Sequence, residues 1–156
     1  MIVWYCAESD KEAFKAAVEI ELSKEAEKRV NITYLPNGKP CLENGYISLT
    51  DTKDFIAAAY SLFPVGTDAE NLEEIDENKL LPLEKAGILS GDKKEKIFSW
   101  CEKEACFKVK GEGNLLSYVR SSTKEKYYLK RFELGKICLV VACAKDEEIQ
   151  IEKLDL

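Results

Sequence analysis

The sequence contains no histidine among its 156 residues. This absence excludes Ser-His-Asp and Cys-His nucleophile pairs, histidine metal sites and the side chain that most often acts as a base at neutral pH. Any chemistry performed by this chain must therefore use carboxylates, lysines and hydroxyl groups.

Long apolar runs and closely spaced cysteine pairs are also absent. No segment approaches the roughly 20 apolar residues that cross a membrane, and the first residues lack the basic segment and apolar core of a signal peptide. The six cysteines include no C-x-x-C pair, which predicts reduced, mostly buried thiols. Cys101 and Cys106 are separated by four residues, and so are Cys138 and Cys143. This spacing allows a metal site as an alternative, although it is wide for zinc ligands. We expect a cytoplasmic protein without membrane association.

The remaining composition is typical of a globular protein, with 46% hydrophobic and 33% charged residues. A formal net charge of −6 argues against nucleic acid as a partner. The length suits one domain over residues 1–156, built as a single core or as two small halves packed together.

Apolar periodicity and turn residues predict an α+β chain. We expect helices at 10–30, capped by Ser9, and at 94–110, with a charged connector over 77–93. We expect strands at 2–7, 31–35, 46–49, 54–62, 65–70, 115–119, 127–134, 136–144 and 149–153. The order strand, helix, strands occurs twice, which predicts two similar halves, about 1–63 and 64–156, with a cleft between them.

The helix predicted at 94–110 carries two charged residues on its apolar face. At about 100° per residue, one arc is filled by Ile97, Phe98, Trp100, Cys101, Ala105 and Phe107. Glu104 and Lys108 point into the middle of that arc. Because burying unpaired charge costs several kcal/mol, such groups are paired or gathered around a ligand. The helix alone leaves open an i, i+4 salt bridge or a functional site.

A second acidic pair lies on the predicted strand Val65-Gly66-Thr67-Asp68-Ala69-Glu70. Alternation along a strand puts Asp68 and Glu70 on the same face. They could simply begin the acidic run that follows. Together with Glu104, however, they form three carboxylates able to converge beside Lys108, and carboxylates with phosphate oxygens are typical ligands of Mg²⁺. The set favours a magnesium-phosphate site.

These motifs resemble those of the 4′-phosphopantetheinyl transferases. That family pairs a (V/I)G-x-D-x-E strand with a W-x-x-K-E-(A/S)-x-x-K helix, and this chain has VGTDAE followed by WCEKEACFK. Gly38-Lys39-Pro40 is similar to the family's GKP turn, and YYLKRFEL with ICLVVACA to its last hairpin. The resemblance covers most of residues 31–156. Because a full α+β unit precedes VGTDAE, the chain resembles the two-halved, surfactin-synthetase-activating type, which implies a pseudo-twofold monomer with a cleft.

The resemblance implies a role for each matching residue. Asp68, Glu70 and Glu104 match the Mg²⁺ ligands, and Lys108 matches the lysine on the coenzyme A phosphates. Gly38, Lys39 and Pro40 match a loop beside the nucleotide. Where the family has a Ser-His-Ser segment, this chain has SLTDT, with Asp51 in the place of the histidine. The coenzyme side would therefore include Ser48, Thr50 and Asp51.

The implied reaction transfers 4′-phosphopantetheine from coenzyme A to a serine of an acyl or peptidyl carrier protein, with Mg²⁺ as cofactor. Glu104 and Lys108 would be the catalytic residues, and a carboxylate such as Glu104, or a hydroxide held by the metal, would take the serine proton. The alternative is a non-catalytic relative that binds Mg²⁺, a nucleotide or a carrier protein.

Overall fold

A computed structural model describes residues 1–8, 10–121 and 126–156 of the chain. It has a mixed α+β architecture with several sheets, which confirms the expected class. The elements in chain order are β1 (Ile2–Cys6), α1 (Lys11–Ala26), β2 (Thr33–Tyr34), β3 (Pro40–Cys41), β4 (Tyr46–Thr52), β5 (Phe55–Ser61), β6 (Val65–Asn71), a 3-10 turn (Glu77–Lys79), α2 (Leu81–Lys85), α3 (Lys93–Lys110), α4 (Leu115–Arg120), β7 (Tyr128–Leu134), β8 (Ile137–Cys143) and β9 (Gln150–Lys153).

The strands form a four-stranded sheet in the order β4-β5-β1-β9, a three-stranded sheet in the order β6-β8-β7 and a two-stranded ribbon of β2 and β3. Strand β9 runs parallel to β1, whereas β5 pairs antiparallel with both β1 and β4. The last strand of the chain therefore returns to the sheet that contains the first. The division into halves at residues 63 and 64 stays a prediction.

Three apolar clusters hold these layers together. The first packs α3 on one face of the three-stranded sheet, the second is shared by the two larger sheets, and the third lies beneath α1. Each larger sheet therefore has a helix on one face, and the two sheets share a core that fixes their relative position.

Strands β4 and β6 lie side by side although they belong to different sheets. The Ser48 hydroxyl accepts the N–H of Thr67 at 3.0 Å, and the Thr50 hydroxyl accepts the N–H of Ala69 at 3.1 Å. From the first of these bonds to the second, the residue number rises by two on each strand, so β4 and β6 run parallel here. We call this contact between the two strands the seam. Side-chain hydroxyls thus perform the bridging that backbone carbonyls perform within a sheet.

Several sequence predictions are corrected at element ends. Helix α1 ends at Ala26 rather than at residue 30, because Glu27 adopts a left-handed conformation with φ of 50°. Asp10 caps this helix by accepting the N–H of Ala13, and the cap predicted at Ser9 lies outside the described residues. The strand predicted at 31–35 is formed only over Thr33–Tyr34.

The strand predicted at 115–119 is wrong, because these residues form helix α4. The side chain of Asn114 accepts the N–H of Ser117 at 3.0 Å and caps the helix at its N-terminus. None of the helices in the described part of the chain is long and apolar enough to span a bilayer.

Candidate active site

Strand β6 and helix α3 approach each other closely at Gly66. A Cβ atom built on Gly66 would overlap the carbonyl oxygen of Ala105 and would lie 2.8 Å from the backbone nitrogen of Val109. Only a residue without a side chain permits this approach. The contact brings Asp68, two residues further along β6, against the turn of α3 that carries Glu104 and Lys108.

Lys108 forms an ion pair with Asp68 across this helix–strand contact. The ammonium group donates to Asp68 Oδ1 at 2.8 Å and to the carbonyl oxygen of Thr67 at 2.9 Å. Asp68 is only 4% exposed, whereas the Lys108 side chain is 31% exposed. The helix sequence alone left open an i, i+4 salt bridge with Glu104 or a functional site. In the structure the ammonium group of Lys108 is directed to the neighbouring strand rather than along the helix to Glu104.

The second carboxylate oxygen of Asp68 is buried and accepts no hydrogen bond. Leaving a buried acceptor of a charged group unsatisfied costs about 1–3 kcal/mol or more. Such an atom in a native protein indicates either a missing ligand or a proton shared with a neighbour.

Glu104 lies beside Asp68 and has a raised pKa. Burial, first, and then the negative charges of Asp68 and Glu70 raise the pKa of the Glu104 carboxyl, Lys108 lowers it, and the net result is a rise from 4.5 to about 8. At neutral pH Glu104 is therefore mostly protonated, and its proton can be shared with Asp68. We call Asp68, Glu70, Glu104 and Lys108 the carboxylate cluster.

The donor set of this cluster suits a hard divalent cation. Carboxylate oxygens are the ligands that Mg²⁺ prefers, and the unpartnered oxygen of Asp68 is available to one. Over residues 1–8, 10–121 and 126–156, however, no group of three or more Cys, Asp and Glu side chains is already arranged to hold a metal ion. In this arrangement the ammonium group of Lys108 supplies the positive charge beside Asp68.

Two cavities flank the cluster. One of about 440 Å³ is lined by Thr52, Glu70, Asn71, Glu74, Ile75, Asp76, Leu80, Trp100 and Glu104. The other, of about 470 Å³, is lined by Asn37, Gly38, Lys39, Pro40, Ile47, Ser48, Leu49, Phe107, Lys108, Gly111, Glu112 and Gly113. Because Glu104 lines the first and Lys108 the second, one turn of α3 separates an acidic cavity from one that contains the Gly38-Lys39-Pro40 turn.

Lys39 links that turn to the end of helix α3. Its ammonium group donates to the carbonyl oxygen of Lys108 at 3.1 Å. Gly111 caps the helix with φ of 81°, and a Cβ atom there would overlap Lys39 Nζ. A cation at this position satisfies a terminal carbonyl and opposes the helix dipole. The predicted nucleotide-binding lysine therefore also caps the helix that carries Lys108.

The segment predicted to replace the family's Ser-His-Ser motif is divided between two faces of β4. Ser48 and Thr50 are buried and turn their hydroxyls toward β6, where Thr50 also donates to Asp68 Oδ1 at 3.4 Å. Asp51 points the other way and pairs with Lys11 of helix α1 at 2.7 Å. Asp51 lines neither of the two cavities beside the cluster, so the structure does not bring it together with the other predicted site residues.

Of the cysteines, Cys101 lies beside the carboxylate cluster, where the negative charges of Asp68 and Glu70 act on its thiol. All six are free thiols. Burial raises the pKa of the Cys101 thiol, and it raises that of Cys138 to about 11. Both groups therefore stay protonated at neutral pH, which argues against their use as metal ligands or nucleophiles.

Sequence reasoning missed three contributors to the site. Gly66 was noted in the sequence only as part of the VGTDAE motif, and Glu74 and Asp76 of the acidic run that follows were not predicted as site residues. The direct bond from Thr50 to Asp68 gave no signal in the sequence, because it joins residues from two different sheets.

Comparison of the chain with models of known protein families finds no matching family, and comparison with curated proteins finds no matching relative.

Proposed function

We propose that this chain is a Mg²⁺-dependent phosphopantetheinyl transferase that modifies a serine of an acyl or peptidyl carrier protein. The observation that carries the proposal is the buried, unpartnered carboxylate oxygen of Asp68 beside Glu104, whose pKa is raised to about 8. Perturbed carboxyl groups of this kind are concentrated at functional sites.

Asp68, Glu70 and Glu104 would hold the metal ion. Their oxygens suit Mg²⁺, and loss of the proton from Glu104 would accompany binding, because a carboxyl group must be ionised to act as a ligand. When bound, Mg²⁺ would neutralise charge on the pyrophosphate oxygens of coenzyme A.

Lys108 would place a second positive charge on the same phosphates. Its ammonium group is oriented by Asp68 and by the Thr67 carbonyl, and its side chain lines the cavity that contains Gly38, Lys39 and Pro40. An ammonium group fixed before the substrate arrives stabilises developing charge without reorganisation. This cavity is where we place the nucleotide end of coenzyme A.

Glu104 suits the role of general base. In the reaction the serine oxygen forms a bond to the phosphorus that carries pantetheine, and the bond from that phosphorus to the bridging oxygen breaks. Adenosine 3′,5′-bisphosphate leaves with the electron pair, and ionised Glu104 takes the serine proton. Because a carboxyl group that holds a metal ion is ionised, Glu104 would be in the form that a base requires.

The fold of the family is part of the proposal. The parallel seam between β4 and β6 and the shared core between the two larger sheets support a pseudo-twofold arrangement within one chain. We therefore propose that the protein acts as a monomer and that the cleft lies beside this seam.

The direct test incubates the chain with Mg²⁺, coenzyme A and a panel of apo carrier proteins, followed by intact-mass spectrometry. We expect one carrier to gain one phosphopantetheine group. Asp68→Ala should abolish the gain. Glu102→Gln is the matched control, because Glu102 lies on the same helix but bonds to Arg131 on the opposite side. No adduct on any carrier would overturn the enzymatic proposal.

A second candidate is a non-catalytic protein that binds Mg²⁺, a nucleotide or a carrier protein. Asp51 favours it, because this residue replaces the family's histidine and is neutralised by Lys11 instead of offering a positive charge to phosphates. Coenzyme A binding without any transfer in the same assay would support this candidate.

A further inference from the structure

We infer that Thr50 is a positioning residue for Asp68 rather than a direct contact of the coenzyme. The inference rests on the proposed function for its catalytic meaning, but the hydrogen bonds that carry it belong to the chain alone. They cross the seam between β4 and β6, so that a strand of one sheet orients a site residue of the other.

The hydroxyl group of Thr50 is already committed to β6. Its oxygen accepts the N–H of Ala69 at 3.1 Å, and its single proton points to Asp68 Oδ1 at 3.4 Å. A hydroxyl has one proton to donate, and Thr50 is only 5% exposed. Its donor is therefore used within the protein, and little of its surface is left for a coenzyme.

The bond from Thr50 acts on one particular oxygen of Asp68. Oδ1 receives donors from two sides, Thr50 on β4 and Lys108 on α3, whereas Oδ2 receives none. Two donors from different elements fix the rotation of the carboxylate and leave Oδ2 for a ligand. Second-shell hydrogen bonds of this kind orient metal ligands.

Ser48 shows what a hydroxyl does at the same seam without touching the cluster. It accepts the N–H of Thr67 at 3.0 Å, lies two residues before Thr50 on the same face and is also 5% exposed. Removing either hydroxyl leaves one amide of β6 without its acceptor. Only removal of the Thr50 hydroxyl also takes a donor from Asp68, so the two positions form a matched pair.

The first experiment measures binding of Mg²⁺ alone by titration calorimetry to the full chain and to Thr50→Val, Thr50→Ser and Ser48→Ala. Loss of a ligand-orienting bond typically weakens metal binding about 10-fold or more. Because the Thr50 bond is long at 3.4 Å, we expect Thr50→Val to weaken Mg²⁺ binding by about 10-fold, the low end of this range. Thr50→Ser should restore wild-type affinity, and Ser48→Ala should retain it. Equal losses in Thr50→Val and Ser48→Ala, or no loss in either, would overturn the inference.

A second experiment separates this inference from the proposed function. If the wild-type chain binds no Mg²⁺, the metal-dependent function fails, and urea unfolding of Thr50→Val, Asp68→Ala and the double variant still tests the bond. Thr50→Val should raise the unfolding equilibrium constant of both wild type and Asp68→Ala. We expect the increase to be about 3- to 5-fold smaller in Asp68→Ala than in wild type, because the bond to Asp68 is already absent there. Ser48→Ala should be additive with Asp68→Ala. Additivity for Thr50→Val as well would show that Thr50 does not orient Asp68.

Discussion

Lys108 of helix α3 and Asp68 of strand β6 form an ion pair at 2.8 Å in which only the lysine reaches solvent. The aspartate is almost completely buried, and Lys108 binds only its Oδ1, since Oδ2 accepts no hydrogen bond. The two residues therefore depend on the pair unequally, since a half-buried ammonium can be hydrated and a buried carboxylate cannot.

The ion pair predicts unequal effects on stability. Lys108→Met should lower the free energy of unfolding by about 3 kcal/mol, because it leaves a buried charge without compensation. Asp68→Asn should cost only about 1 kcal/mol, because Lys108 can turn to water. Urea denaturation at neutral pH measures both, with Lys28→Met, which removes an exposed cation paired with Glu43, as the control. Equal losses for the two site variants would contradict this asymmetry.

The raised pKa of Glu104 predicts that stability falls with increasing pH. Its carboxyl binds a proton more tightly in the folded chain, with a pKa of about 8, than in the unfolded chain, where the ordinary value is 4.5. The stabilisation that comes from this tighter proton binding is therefore fully present below about pH 4.5 and is lost as the pH rises through about 8. The size of the effect is on the order of a few kcal/mol.

The measurement compares unfolding of wild type and Glu104→Gln from pH 5 to pH 9. Glutamine stays neutral, so the variant should lack this part of the pH dependence and should exceed wild type in stability at the alkaline end. Glu102→Gln should follow wild type, since its carboxylate is bonded to Arg131 outside the cluster. Parallel curves for wild type and Glu104→Gln would refute the assignment.

Sequence patterns predicted the central elements of this fold but not their contacts. The strand over Val65–Asn71 and the helix over Lys93–Lys110 were expected within a residue at each end, because alternation and helical periodicity are local properties. The apolar run beginning at Leu115 was misinterpreted as a strand. A single capping side chain, Asn114, favoured a helix there.

Part of the candidate site was also predictable, because the spacing of residues along one helix is a local property. The spacing of Glu104 and Lys108 showed that two charges share a buried face, but the partner of Lys108 could have been Glu104 or Asp68. That choice is made by the close approach at Gly66, which depends on the packing of β6 against α3. Contacts between sheets, such as Thr50 with Asp68, follow from tertiary structure and leave no periodic pattern.

The carboxylate cluster predicts the metal dependence of coenzyme binding. Asp68→Ala and Glu104→Ala should each abolish Mg²⁺-dependent binding of coenzyme A, because each removes a proposed ligand. Equilibrium binding of coenzyme A with Mg²⁺ or with a chelator measures this effect, and circular dichroism verifies the fold. Glu102→Gln should bind as wild type does. Unchanged binding in both alanine variants would mean that the carboxylates serve only the structure.

Gly66 should tolerate no larger residue. Gly66→Ala would place a methyl group against the Ala105 carbonyl and the Val109 amide, and overpacking of this kind costs about 1–3 kcal/mol. Thermal unfolding should show the loss. Gly87→Ala is a suitable comparison, since a Cβ atom there meets nothing within 4 Å and only the left-handed φ of 69° is unfavourable. A smaller effect at Gly66 than at Gly87 would contradict the close helix–strand approach.

Lys39 should affect both stability and coenzyme binding. Lys39→Met removes the donor to the Lys108 carbonyl, and we expect a loss of about 1 kcal/mol in the free energy of unfolding, the usual size for one hydrogen bond. If the ammonium also contacts phosphate, coenzyme A binding should weaken by more than this structural loss explains. Lys39→Arg keeps the charge and should recover most of the affinity. Full coenzyme affinity in Lys39→Met, measured with saturating Mg²⁺, would leave Lys39 as a helix cap alone.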